Sequence, residues 1–566
     1  MAYTLPQKPQ KRFLPTKFNP LHKKDVIEII HKLIQFPPTD FKTAQQWFGT
    51  YHELSCAVSE AQAILELNIN LDNTNKNLEK KLLEFEQNIL NELLLCREKM
   101  MDIYLSSPFK YSMHAFEQGK IEKELGIRKK FSIPELSSLQ LEENKLIREY
   151  KHFTNLASTQ FEGQTVLLSA VSGKMHDLNE RTRKDAFFAY WNFIQSNEQK
   201  YQTLFDELLH NRRQQATVSG CKNYTEIAFA ELGRFDYGTS ECALLRNSIS
   251  KVVVPCVTQI SLKQEVSLAP WNAQVWPSIT PTVPPAHGSR SELINSLQKL
   301  MIKIHPMFGK LFEEMLKNSL IDAFPRQGKS PGAFSVTFQE SGVPFLFGNF
   351  GVNLRDMFTF IHEFGHCLHG FAVTNIDNIL LRHPGFEFCE LASIGLELLA
   401  SPFLNLLWLN PNDAKNAHKY QLFQMLQFWP FMAMMDEWQH TVYVSEKFLT
   451  APERNELWLQ ISKKYKPHVN WDGCLQYEKL GWLSRPHIYT SPFYFIDYGI
   501  AQIGALQLWL NSKQNYPLAV QKYISGISLG AQLSIPDLFK ALDVRFDFSE
   551  ELINKLCNKI LNEINN

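Results

Sequence analysis

The 566-residue chain carries no excess charge of either sign: Lys and Arg total 58, and so do Asp and Glu. That balance offers no overall field for nucleic acid or an anionic membrane surface. Cysteine is sparse. Nine are scattered at positions 56, 96, 221, 242, 256, 367, 389, 474 and 557. An odd number without paired spacing fits a reducing compartment rather than a disulfide framework. The start, Met1 to Lys24, is basic and proline-dotted, but it lacks the apolar core and small-residue cleavage site of a secretory signal. A partly mobile leader is expected there. The most apolar stretch, Leu391 to Leu409, is interrupted by Glu397, Pro402 and Asn405. It reads as a core helix rather than a membrane span. No fixed-period repeat or low-complexity segment is present. A soluble cytoplasmic protein is expected, with neither a nucleic-acid nor a membrane partner.

What is there is globular composition rich in aromatics, 44% hydrophobic and 12% aromatic, and a length that allows about two to four domains. Residues 25–106 have helical periodicity, with Leu78, Leu82, Phe85, Ile89, Leu93 and Cys96 recurring at steps of three and four. Asp177 to Val218 is a second long helical pattern, with Phe187, Tyr190, Trp191 and Ile194 on one side. Both stripes read as core. The prolines between 265 and 290 mark an irregular surface loop. Ser335 to Phe338 and Pro344 to Phe350 are short, aromatic and β-branched, which predicts a small hairpin or sheet, and an edge strand there could take up a peptide backbone. From 390 to 566 the patterns are again mostly helical.

One stretch organises the rest: Phe360-Ile361-His362-Glu363-Phe364-Gly365-His366. It reads H-E-x-x-H. Asn353 is the expected N-cap, Asp356 sits at N3, and Gly370 is the expected terminator, giving a helix of about four turns. On it His362 and His366 leave the same face and can share one Zn²⁺. Glu363 would lie beside the metal, placed to take a proton from water. With 17 histidines in the chain, chance alone gives the pattern in roughly 3 or 4 of 100 such chains, and a third ligand lowers that further. Downstream, Glu390 opens an apolar helical run and Glu397 follows two turns later on the same face. Carboxylates on an apolar face are costly unless paired or metal-bound. Glu390 is the expected third ligand, with Glu397 as a partner behind it. His369 and Glu387 are the alternatives. Cys367 and Cys389 each adjoin an expected ligand and so point elsewhere. A histidine-rich extension of the motif is excluded, because the required glycine is His369 and the required last histidine is Ala372.

These residues, with Phe388-Cys389-Glu390-Leu391-Ala392-Ser393, resemble the oligoendopeptidase F and thimet oligopeptidase family of zinc metallopeptidases. The run from His487 through Pro492-Phe493-Tyr494-Phe495-Ile496-Asp497-Tyr498 is similar to that family's C-terminal segment, and Pro325 to Phe334 to one ahead of the metal helix. The resemblance implies a mostly α, two-lobed body with a small β-sheet beside the zinc helix and a deep channel admitting short peptides. It divides the chain into an N-terminal helical region, 1–160, forming part of one lobe, and a catalytic domain, 161–566. It implies one zinc ion on His362, His366 and Glu390, Glu363 as base, and His487, Tyr494 and Tyr498 binding substrate and stabilising the oxyanion. Tyr494 and Tyr498, four apart, would share a helix face. A zinc-dependent endopeptidase of short oligopeptides is expected. The alternatives are a carboxypeptidase or dipeptidyl carboxypeptidase with a related site, and a non-catalytic helical peptide-binding protein.

Overall fold

The structure, a computed structural model, describes residues 3–565 apart from 7, 9, 108–125, 128–129, 132, 178, 264–267, 274–288, 352 and 409. The chain is mostly helical and divides into two compact units. The first comprises Met1–Gly126, Pro281–Ala414 and Gly504–Phe546; the second comprises Ile127–Thr280, Lys415–Ile503 and Asp547–Asn566. Among the described residues no helix is long and apolar enough to cross a membrane.

In the first unit the expected helical stretch is realised as Lys23–Gln35, Phe41–Leu71 and a run from Lys76 to Ser106 with a π turn at Glu86–Leu90. Phe85, Ile89, Leu93 and Cys96 are buried on one side of that run, against Trp47, Tyr51 and Leu54 of the second helix. Part of the leader is anchored. Glu53 accepts from the backbone N–H groups of Arg12, Phe13 and Leu14 at 2.8–3.0 Å, and Leu14 and Phe18 are buried in this core. A basic, proline-dotted composition does not reveal these anchors, because one carboxylate on a distant helix supplies three of them.

The sheet of this unit has three strands: β1 (Ile321–Asp322), β2 (Phe334–Phe338) and β3 (Val343–Phe347). β3 is central, parallel to β1 and antiparallel to β2, with Phe334 opposite Phe347 and Phe338 opposite Val343. The rings of Phe334 and Phe347 stack at 4.6 Å, a cross-strand pair of the kind that fixes register. β2 is an edge strand. Lys329 ties the loop before β2 to the sheet: its buried ammonium donates to Asp322 Oδ1 (2.7 Å) and to the carbonyls of Asp322, Phe324 and Gly348.

The helix that follows, α1 (Leu354–Ala372), has 19 residues. Asn353 caps it as expected, accepting from Asp356 N–H at 2.9 Å, while Asp356 Oδ2 accepts from Asn353 Nδ2 and Gly351 N–H. The expected stop at Gly370 is overruled, and α1 continues to Ala372. A Cβ on Gly370 would come 1.9 Å from Thr337 Oγ1, so this glycine lets β2 pack on the helix rather than ending it. After α1 comes α2 (Phe386–Leu399), then a 3₁₀ segment over Ser401–Leu406. The apolar stretch from Leu391 is thus core helix.

In the second unit the long pattern from Asp177 splits at Asn197 into Glu180–Ser196 and Glu198–Val218, with Phe187, Trp191 and Ile194 buried. Of the proline-rich 265–290 stretch, 268–273 and 289–290 are described; the rest lies outside the described residues. The core is built on stacked aromatics, with Trp438 and Trp482 at 4.7 Å. Arg212 runs through it fully buried, donating to Glu143 Oε1 and Tyr443 Oη at 2.7 Å each. Four helices matter below: α3 (Pro411–Val444), α4 (Ala451–Tyr465), α5 (Pro486–Thr490) and α6 (Ile496–Gln514).

Removing the Lys329 ammonium strips donors from a carboxylate and three carbonyls at the sheet edge. Lys329→Met is therefore expected to destabilise the protein by about 3 kcal/mol or more. The check is the urea midpoint followed by tryptophan fluorescence; an unshifted midpoint would show that water replaces the ammonium without cost.

Candidate metal centre and active site

The geometry of the site begins with a missing side chain. Gly365 lies between the two histidines of α1, where a Cβ would come 2.5 Å from Ser393 Cα. Glycine there lets α2 approach α1 closely. α2 is held from its other side by Tyr523, whose hydroxyl donates to the Ala392 carbonyl at 2.6 Å, and by the contact of Gly395 with Leu508 and Tyr523. The close approach brings the carboxylates of α2 onto the histidine face of α1.

His362 Nδ1 lies 2.8 Å from Glu397 Oε1. A carboxylate there accepts a hydrogen bond from Nδ1–H, which favours the tautomer whose Nε2 lone pair faces away from Glu397. Nε2 is 3.3 Å from Glu390 Oε2, and His366 Nε2 is 3.8 Å from the same oxygen. All three ligand atoms lie within 4.8 Å of one another. Among the described residues this is the group able to hold a metal ion. Glu397 takes its expected place behind His362. His369 and Glu387 are both buried, at 6% and 1% exposure, but neither joins the group. Burial, then His366 and His383, push His369 down to about 3. Cys367 is buried, and Cys389 Sγ turns to the Pro384 carbonyl at 3.8 Å; neither thiol joins the candidate group.

The donor set suits a divalent cation. Two imidazoles and a carboxylate are a normal set for catalytic zinc, which keeps a further position open. Glu363, Glu390 and Glu397 gather around the two imidazoles, and a dication would compensate their negative charge. The side chains of His362 and His366 keep 21% and 23% of their surface exposed, so the face between them is accessible. Burial acts against a charged His362, but hydrogen bonds to Glu390 and Glu397 outweigh it and raise its pKa well above the usual value. His366, lacking such partners, is pressed by burial and by His362 down to about 4. Burial lifts Glu363 to about 7, opposed by His362 and assisted by Glu390 and Glu397. A carboxyl near 7 exchanges protons readily at neutral pH.

The second unit brings together the other three expected residues. The rings of His487 and Tyr494 lie parallel at 5.9 Å, Tyr494 and Tyr498 meet edge-on at 5.2 Å, and His487 is 6.2 Å from Tyr498. All three are half-exposed among buried neighbours. The expectation that both tyrosines stand on one helix is corrected. Tyr498 is on α6, but Tyr494 sits in the turn before it, with its carbonyl accepting from Asp497 N–H at 3.0 Å. Phe493 adopts φ +65°, a conformation that a bulky residue rarely takes. Buried contacts hold it there: Gln439 Oε1 accepts from its N–H at 3.0 Å, and its carbonyl accepts from Arg234 Nη2 at 3.0 Å. The same Arg234 Nη2 donates to Asp497 Oδ1 at 2.6 Å, joined by the Tyr237 hydroxyl at 3.0 Å. Arg234, Tyr237 and Gln439 thus fix the turn that presents the tyrosines. Sequence reasoning missed them, since Arg234 is separated from Asp497 by 263 positions and no local pattern marks it.

Comparison with known proteins bears out the resemblance read from the motifs. Residues 300–557 match Peptidase family M3. The chain is similar to an oligoendopeptidase F homolog of Borreliella burgdorferi, 28% identical over 241 residues, covering 41% of this chain and 40% of that protein. It is also similar to oligopeptidase PepF of Bacillus subtilis, 25% identical over 262 residues, covering 44% of this chain and 37% of that protein. The matches thus span about two fifths of these relatives' length. In fold the chain is similar to a solved structure of PZ peptidase A with an inhibitor, with TM-score 0.88 and 24% identity over 98% of this chain and 99% of that one.

The ligand set makes a graded expectation. Glu390→Ala should lower metal affinity more than Glu397→Gln, whose loss should be the roughly 10–100-fold typical of an outer hydrogen-bond partner. Glu387→Ala and His369→Ala should bind metal nearly as the parent does. Chelator competition with metal analysis reads all four. A site emptied by His369→Ala and kept full in Glu390→Ala would overturn the assignment.

Proposed function

We propose that this chain is a zinc-dependent endopeptidase that hydrolyses peptide bonds in short oligopeptides, with one zinc ion held by His362, His366 and Glu390. The observation that carries the reading is the convergence of two imidazole Nε2 atoms and the Glu390 carboxylate within 4.8 Å, with Glu363 next to the first histidine. The match to Peptidase family M3 over residues 300–557 supports it. When bound, zinc supplies Lewis acidity to the site.

The chain's own groups supply the rest. Glu363 takes a proton from the attacking water and returns it to the amine nitrogen as the C–N bond breaks. Glu397 keeps His362 in one tautomer and orientation. As the carbonyl carbon becomes tetrahedral, charge gathers on its oxygen and needs a hydrogen-bond donor. Hydroxyl groups of Tyr498 and Tyr494 and the ring N–H of His487 are the donors in this reading, Tyr498 foremost. We place the catalytic portion at 161–566, with 1–160 as a helical region of one lobe, and the protein in the cytoplasm, acting on peptides.

Glu363 is not a ligand, so Glu363→Gln should retain metal and lose at least the roughly 10²–10⁴-fold that a general base contributes. A quenched-peptide digest run beside metal analysis tests this, and near-normal turnover by the metal-replete variant would defeat the mechanism. Fragment mapping separates the related exopeptidase chemistry, since products confined to a fixed distance from a free C-terminus would reject an endopeptidase.

Tyr→Phe keeps the ring and removes only the donor. Tyr498→Phe or Tyr494→Phe is expected to lower kcat by roughly 10²–10³, with KM little changed and metal retained. Wild-type kcat in both variants and in His487→Ala would make this segment structural.

A further inference from the structure

The second unit holds two cations that its own acids leave without an ion pair. Lys466 directly follows α4, and Arg485 directly precedes α5. Lys466 Nζ lies 4.6 Å and Arg485 Cζ 4.7 Å from the ring centroid of Phe431, on α3. Among the described residues neither meets a carboxylate at ion-pair distance, and Arg485 Nε is buried without a hydrogen-bond partner. The acid that Lys466 senses is Glu478, which is buried and accepts instead from Ser462 at 2.8 Å. Two like charges over one ring in a poorly solvated place raise each other's cost. Burial, then Arg485, push the Lys466 ammonium down to about 7. A purely structural cation–π contact needs one cation; a second on the same ring adds repulsion.

The pair borders a surface already described. Phe431 meets Phe495 at 5.4 Å, and Phe495 meets His487 at 5.0 Å and Tyr498 at 5.7 Å. Phe431, His487, Tyr494 and Tyr498 are all half-exposed. An anion brought onto this aromatic surface would meet a planar guanidinium able to grip both its oxygens and an ammonium able to follow it.

We propose that Lys466 and Arg485 form a subsite for a carboxylate of the peptide substrate, an assignment that rests on the peptidase reading above. The carboxylate is either the substrate's C-terminal one or an Asp or Glu side chain. Two pairs of quenched peptides separate these sources: one sequence with a free or an amidated C-terminus, and an amidated sequence with Glu or Gln at one position scanned along it. In the wild-type enzyme one pair should differ by about 10- to 100-fold in kcat/KM in favour of the charged member, the range of a charge-assisted hydrogen bond.

Lys466→Met and Arg485→Gln should each lose most of that ratio, and Arg485→Lys should restore part of it. A ratio lost for the first pair assigns the C-terminal carboxylate; for the second pair, the side chain. No charge preference in the wild type, or a ratio unchanged in both variants, overturns the proposal. If Arg485→Gln fails to fold, as its melting curve will tell, the half-exposed Lys466 decides alone. Should the wild type cleave none of the peptides, the peptidase reading fails separately. Fluorescence anisotropy of the same labelled peptides on Glu363→Gln protein still reads the subsite: charge-dependent binding supports it, and charge-independent binding overturns it.

Discussion

The close approach of two helices at Gly365 is the constraint on which the candidate metal centre depends. Each residue of the centre belongs to α1 or α2, and no loop is asked to hold a ligand. The ligand distances are therefore set by the packing of two rigid elements, which is the more accurate way to position functional groups. A methyl group at Gly365 would be driven into the backbone of α2 at Ser393, and backbone does not yield as a flexible side chain does. Thr337 against Gly370 extends the same logic to β2. α1 thus carries two side-chain-free contact points, one for the helix that brings Glu390 and one for the sheet.

Burying carboxylates on the apolar side of α2 is expensive, and the structure meets that cost locally. Glu397 is matched by His362, and Glu390 lies between two imidazoles. Replacing such groups with apolar side chains often stabilises a protein. The metal proposed to lie between them accounts for their presence better than stability does. The turn at Phe493 in the second unit follows the same rule. A left-handed phenylalanine and a buried Arg234–Asp497 pair both cost free energy, and together they hold two tyrosines and a histidine ring in mutual contact. Strain and buried charge gathered around half-exposed polar groups are a common mark of functional architecture.

Much of this was legible in the sequence, for physical reasons that differ by element. The cap at Asn353, the histidine face of α1 and the acids on an apolar helix face are local patterns, and periodicity alone reveals them. The stop at Gly370 was misread because a glycine in a helix has two uses, ending it or admitting a neighbour, and only the neighbour's position decides. The docking of the leader on Glu53 depends on tertiary contacts, and neither it nor the split at Asn197 shows in hydrophobic spacing. Arg234 belongs to the same class: its role exists only once 263 positions of chain have been folded together.

Net charge shows the limit most clearly. A chain with 58 basic and 58 acidic residues has no overall field, and composition says nothing of local imbalance. Yet the first unit gathers Glu363, Glu390 and Glu397 around two histidines, and the second leaves Lys466 and Arg485 over one phenyl ring with no carboxylate at ion-pair distance among the described residues. Each excess is opposite to the charge of what the proposed chemistry would bring: a dication to the acids, a carboxylate to the cations. Charge of one sign gathered in this way is retained at a cost that hydrophobic packing would avoid. In both proposals the compensating charge comes from outside the chain.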